Sequence, residues 1–164
     1  MNDLQSLAER VGKELKSGSQ TLVTAESCTG GWVAQVVTSV AGSSEWLERG
    51  FVTYSNAAKQ ELLGVGDAIL DSHGAVSEET ARAMAEGALR ASRATVALSV
   101  TGVAGPGGGS AAKPVGMVCF GWARKGGAAR AETRHFKGDR ESVRRQSVVH
   151  ALEGLLALLE EMRA

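Results

Sequence analysis

A short apolar run at residues 21–25 leads through Glu26-Ser27-Cys28-Thr29-Gly30-Gly31 straight into a segment carrying Trp32, Val33, Val36, Val37 and Val40. The continuous apolar run reads as a buried strand, and the three-to-four spacing that follows reads as an amphipathic helix. A strand delivered into a helix through a glycine turn is the building unit of an α/β fold. It also places Ser27 where unpaired N–H groups and the helix dipole favour a developing negative charge. The segment therefore suits a nucleophile with oxyanion donors among Cys28, Thr29, Gly30 and Gly31. It equally suits a Ser27 or Thr29 that merely caps the helix.

The rest of the chain keeps alternating. Leu4, Leu7, Ala8, Val11 and Leu15 mark a first helix ending near Gly18. Residues 51–54 read as a short strand, and Ser55 caps a helix running through Lys59 to Leu63. Ser77-Glu78-Glu79 opens a helix reaching about Arg90, with a capping serine and an acidic first turn. A β-branched strand at 95–100 ends in the glycine-rich loop 101–109. Strands at about 115–122 and 129–136 meet across Arg124-Lys125-Gly126-Gly127, a hairpin signal, and Asp139 caps a long last helix. Helix–strand alternation followed by a hairpin predicts one three-layer α/β/α domain with a mixed sheet over residues 1–164.

Charge excludes some partners. Lys plus Arg and Asp plus Glu both total 18, so no global bias favours nucleic acid, and aromatic residues at 4% leave little for base stacking. The distribution is uneven: residues 1–112 carry 8 basic and 12 acidic side chains, residues 113–150 carry 9 and 3. That basic tract suggests a local anion site. Cys28 and Cys119 form no CxxC, and His73, His135 and His150 show no metal-ligand spacing, so neither a disulfide framework nor a metal is expected. No basic leader precedes an apolar run, and no apolar run approaches the ~20 residues of a membrane helix. A soluble cytoplasmic protein is expected, and a homo-oligomer if it follows the habit of small α/β enzymes.

Three stretches can bring chemistry to the serine turn. In Tyr54-Ser55-Asn56-Ala57-Ala58-Lys59, the lysine sits one turn into a helix near the same sheet edge as Ser27. Buried there, it would lose its proton readily and serve a serine as base; exposed, it is an ordinary surface lysine. The loop containing Thr101, Gly102 and Gly105 can wrap a ligand with backbone N–H groups, or simply connect. Arg140 and Arg144, four apart, share a face near the start of the last helix, an arrangement that suits a phosphate or forms an ordinary solvated charged face.

Taken in order, AESCTGG, AGSSEWLERGFVTYSNAAKQELLGV, GAVSEETARAMAEGAL, SVTGVAGPGGG, KPVGMV and FKGDRESVRRQSV closely resemble the CinA C-terminal domain family of nicotinamide-nucleotide amidohydrolases. The similarity runs from about residue 4 to about residue 160 and looks like the family's stand-alone form. The resemblance implies a metal-free Ser/Lys amidase that converts nicotinamide mononucleotide to nicotinate mononucleotide and ammonia. It places the nucleophile at Ser27, the catalytic lysine at Lys59 and Tyr54 close by, as a relay or stabiliser of the serine proton. Cys28 then ranks as the rival nucleophile. Arg140, Arg144 or Arg145 would hold the 5′-phosphate, Thr101, Gly102 and Gly105 would line the pocket, and Glu26 would face the pyridinium ring or serve as a structural carboxylate. The run Gly107-Gly108-Gly109-Ser110-Ala111-Ala112 departs from a more polar family pattern. The alternative is a module that binds pyridine nucleotides without turning them over.

Overall fold

The computed structural model describes residues 2–164. Five strands form one sheet in the order β2-β1-β3-β4-β5: β1 is Leu22–Glu26, β2 Leu47–Val52, β3 Val96–Gly102, β4 Met117–Arg124 and β5 Arg130–His135. β1 pairs in parallel with β2 and β3, whereas β3–β4 and β4–β5 are antiparallel, so the sheet is mixed as the sequence predicts. Six α-helices flank it: α1 Asn2–Ser17, α2 Trp32–Thr38, α3 Asn56–Leu63, α4 Asp67–His73, α5 Glu78–Arg90 and α6 Arg140–Arg163.

Two cores result, one on each face of the sheet. Leu22, Val96, Leu98, Phe120 and Trp122 pack with apolar residues of α1, α2 and α6. Val23, Ala25, Ala97 and Ala123 pack with Leu63 of α3, Leu70 of α4 and Met84, Ala85 and Ala88 of α5. The assignments of Leu22 and Val23 to opposite cores follow the two-residue period of a strand. This is the three-layer α/β/α arrangement. Small residues set the spacing of the second core: a Cβ on Gly87 of α5 would collide with the Leu63 carbonyl at the end of α3.

The capping serines fall where the sequence puts them. Ser55 Oγ accepts from Ala58 N at 3.0 Å, Ser77 Oγ from Thr80 N at 3.0 Å, and the Asp139 carboxylate from Ser142 N at 2.9 Å. Two short elements have no counterpart in the sequence reading, α4 and a 3-10 turn at Ser43–Glu45. The second strand also begins at Leu47, earlier than expected, and stops at Val52, before Thr53 and Tyr54. It lies at the sheet edge, and its Glu48, Arg49 and Gly50 break the apolar run that would announce a strand. Among the described residues no helix is long and apolar enough to cross a membrane.

Candidate active site

The carboxyl ends of the three parallel strands converge. β1 runs out at Glu26, β2 at Val52 and β3 at Gly102, and β1 lies between the other two. In open α/β sheets such an edge is where ligands bind. Ser27 N donates to Val100 O at 2.9 Å, and Thr53 N to Glu26 O at 2.8 Å, so the three strand ends are stitched together at this level.

Strand alternation then sorts two neighbouring side chains. Glu26 turns toward α2, where it is fully buried and accepts from Thr29 Oγ1 at 2.6 Å, Gly31 N at 3.2 Å, Val33 N at 2.9 Å and Ala34 N at 3.0 Å. Its carboxylate thus satisfies the donors at the start of α2, and the expectation that it faces a substrate ring is corrected to the structural alternative. The capping task offered to Ser27 or Thr29 is performed by Glu26, which leaves Ser27 free. Gly30 and Gly31 have φ of 60° and 103°, left-handed values that close the turn between strand and helix. Their N–H groups are occupied, Gly30 by the Ser27 carbonyl at 3.0 Å and Gly31 by Glu26. Those of Cys28 and Thr29 have no acceptor in another of the described residues. Of the four oxyanion donors expected from sequence, these two are therefore available.

Ser27 turns the other way, toward α3. Lys59 lies on the buried face of that helix, one turn before Leu63, and is only 1% exposed. Its Nζ is 3.0 Å from Ser27 Oγ, and it donates to Thr53 O at 2.9 Å and Tyr54 O at 3.4 Å. Among the described residues it has no ion-pair partner. Burial lowers its pKa from the ordinary 10.5, because the ammonium is stripped of water. The Thr53 carbonyl, which helps fix the amine, was invisible to sequence reasoning since any residue supplies one.

Cys28 behaves differently from a thiol at an exposed helix start. Burial pushes its pKa up to about 12, so it stays protonated and is a poor nucleophile. Its side chain belongs to the core between the sheet and α2.

Ser27 and Lys59 open into a cleft of about 300 Å³, walled by Cys28, Tyr54, Ala75, Val76, Arg140 and the loop from Thr101 to Gly108. Thr101, Gly102 and Gly105 sit in that wall as expected, with Thr101 Oγ1 donating to Ala75 O at 2.8 Å. Ala75 and Val76, which lead into α5, were not singled out from sequence as wall residues. Tyr54 is 64% exposed, and its hydroxyl accepts from Arg140 Nη2 at 3.4 Å. That hydroxyl bonds neither Ser27 nor Lys59, so the expected proton relay through it is corrected; the backbone carbonyl of Tyr54 is what meets the lysine.

The three arginines separate. Arg140 is in the cleft, where its Nη1 donates to Gly105 O at 2.8 Å. Arg144, one turn on, reaches the carbonyls of Cys28 and Thr29 instead. Arg145 points away to Asp3 at 3.0 Å. Of these three candidates for the phosphate, only Arg140 lines the cleft; Arg144 spends its donors on the serine turn, and Arg145, about 100° further round the helix, faces α1. A larger cavity, about 520 Å³, lies among α1, α2 and the start of α6, lined by Leu4, Trp32, Val36 and Arg145 among others and not by Ser27 or Lys59. No three His, Cys, Asp or Glu side chains are grouped to hold a metal ion among the described residues.

The chain matches relatives along nearly its whole length. It is 53% identical over 94% of its residues to the nicotinamide-nucleotide amidohydrolase PncC of Escherichia coli strain K12, covering 93% of that protein. Against the protein of the same name from Pseudomonas putida it is 51% identical over 96% of the chain and 98% of the relative. A longer CinA-like protein of Syntrophobacter fumaroxidans shares 49% identity over 90% of this chain, which corresponds to 35% of that protein. The crystal structure of a competence/damage inducible protein from Agrobacterium tumefaciens superposes with a TM-score of 0.92 at 47% identity, each chain covered to 95%. A CinA superfamily protein from Klebsiella pneumoniae gives a TM-score of 0.92 at 35% identity, over 96% of this chain and 98% of that one. The CinA C-terminal domain model matches residues 4–159, and the chain belongs to that family.

Proposed function

We propose that this protein hydrolyses the carboxamide of nicotinamide mononucleotide, giving nicotinate mononucleotide and ammonia, with Ser27 as nucleophile and Lys59 as its base. One observation carries the mechanism: a buried lysine amine, with no carboxylate partner among the described residues, stands 3.0 Å from a serine oxygen at the mouth of a cleft. The amidohydrolase names of relatives at 51–53% identity support the substrate.

Burial favours neutral Lys59, and a cationic pyridinium in the cleft disfavours the ammonium further. Neutral Nζ accepts the Ser27 proton as Oγ bonds to the amide carbon and the carbonyl electron pair moves onto oxygen. The free N–H of Cys28, with that of Thr29, stabilises that oxyanion. Collapse of the intermediate breaks the C–N bond while the Lys59 proton passes to nitrogen, releasing ammonia. Lys59, neutral again, takes a proton from water as the water oxygen bonds to the acyl carbon, then returns that proton to Ser27 Oγ as the ester C–Oγ bond breaks. Arg140, at the cleft wall beside Tyr54, receives the 5′-phosphate.

Incubation with nicotinamide mononucleotide is expected to yield ammonia and nicotinate mononucleotide in equal amounts, followed by chromatography and an ammonia assay. Calorimetric binding without ammonia would instead identify a nucleotide-binding module, and release of inorganic phosphate would identify a different hydrolase.

A further inference from the structure

Arg144 sits close to the reacting serine yet does not line the cleft. Its guanidinium spans two successive carbonyls of the nucleophile turn: Nε donates to Cys28 O at 3.1 Å and Nη2 to Thr29 O at 3.1 Å. The same group lies 5.5 Å from the centre of the Trp32 ring, which steadies it from the α2 side.

Those bonds determine more than the carbonyls. In a planar trans peptide the N–H points opposite to the C=O. Pinning the Cys28 carbonyl therefore fixes the direction of the Thr29 N–H; the Thr29 carbonyl, which also accepts from Trp32 N at 3.0 Å, fixes that of Gly30. The Gly30 N–H closes onto the Ser27 carbonyl at 3.0 Å, which orients the peptide joining Ser27 to Cys28. The N–H of that peptide belongs to Cys28, a residue of the cleft wall whose backbone hydrogen has no acceptor in another of the described residues. Among the described residues, Arg144 alone holds the Cys28 carbonyl.

We propose that Arg144 is the positioning residue of the nucleophile turn: by clamping the Cys28 and Thr29 carbonyls from α6, it holds the free N–H groups after Ser27 in the orientation that receives the oxyanion. It touches no substrate. The proposal rests on the amidase reading above. An arginine is required because its rigid fork reaches both carbonyls at once, where a lysine ammonium on a flexible stem meets them singly and loosely. The carbonyl bonds also polarise the peptides, which strengthens their N–H groups as donors.

The test compares native protein with Arg144→Ala, Arg144→Lys and Arg140→Gln, using nicotinamide mononucleotide and measuring kcat and KM separately, with Tm as a check on folding. Loss of an oxyanion donor costs about 10²- to 10³-fold in kcat, and a misaimed donor is expected to approach the lower figure. Both Arg144 variants should thus lose about 10²-fold in kcat with KM nearly unchanged, and phosphonylation of Ser27 by a fluorophosphonate should slow in parallel. Added methylguanidinium should restore kcat to Arg144→Ala, and methylammonium should not. Arg140→Gln should instead raise KM. A rise in KM with native kcat for Arg144→Ala would make it a substrate ligand and overturn the proposal. So would native kcat per folded molecule combined with a lower Tm, the mark of a purely structural residue. Native turnover by Ser27→Ala is a separate result that removes the amidase reading itself, whereas a failure confined to the Arg144 variants removes only the clamp.

Discussion

Lys59→Met is expected to reduce kcat for nicotinamide mononucleotide by about 10²- to 10⁴-fold, the range typical of general acid–base catalysis. Methionine keeps the length and apolar character of the stem that runs beneath Ser27, so the fold should persist. The competent form in the native enzyme is the neutral amine, so activity should rise with pH through the pKa of Lys59. Burial lowers that pKa, which puts the rising limb below the ordinary lysine value of 10.5. The residual activity of Lys59→Met should lack this limb. Stability gives an independent reading of the same group. Between the lowered native pKa and 10.5 the unfolded chain binds more protons than the native one, so native stability rises with pH across that window. Below it, the buried ammonium is a full cost to folding. Denaturant titrations of Lys59→Met should show a weaker rise over the same window. An unchanged pH–rate profile in the variant would contradict the assignment of lysine as base.

Glu26→Ala is expected to be the most destabilising single change near the site. The carboxylate accepts four hydrogen bonds while fully buried, three of them from backbone N–H groups at the start of α2. Alanine would leave those donors buried and unpaired, each at a cost of about 1–3 kcal/mol before relaxation. A total loss of at least ~3 kcal/mol corresponds to a fall in Tm of roughly 6–12 °C for a domain of this size. Differential scanning calorimetry measures it. A change in Tm of a degree or less would show that α2 starts without this carboxylate. The variant should also lose activity, because the turn bearing Ser27 is built on the same bonds.

Much of this architecture was readable in the chain. The buried β1 run, the capping residues Ser55, Ser77 and Asp139, and the late hairpin are local signals, and each structure follows its signal. Sequence reads β2 short because this edge strand has no fully buried residue and carries Glu48 and Arg49. α4, seven residues between Gly66 and Gly74, is too brief to establish a period. At the site, sequence puts Lys59 one turn into a helix near the same sheet edge as Ser27 and leaves its burial open; the pairing of the two residues comes from the family resemblance. What sequence could not give was direction. Arg140, Arg144 and Arg145 look alike as letters, but the α6 start faces the cleft, the serine turn and α1 in succession. Glu26 and Ser27 are adjacent and go to opposite faces of the sheet, one into a helix start and one into a cleft. Cys28 was a credible nucleophile until its burial was known.

The central claim is that Ser27 attacks the amide. Ammonia release from nicotinamide mononucleotide in the presence of EDTA, measured side by side for native protein, Ser27→Ala and Cys28→Ala, tests it most directly. Turnover that survives EDTA, disappears in Ser27→Ala and continues in Cys28→Ala is the predicted result. Native-like ammonia release from a folded Ser27→Ala protein would contradict it.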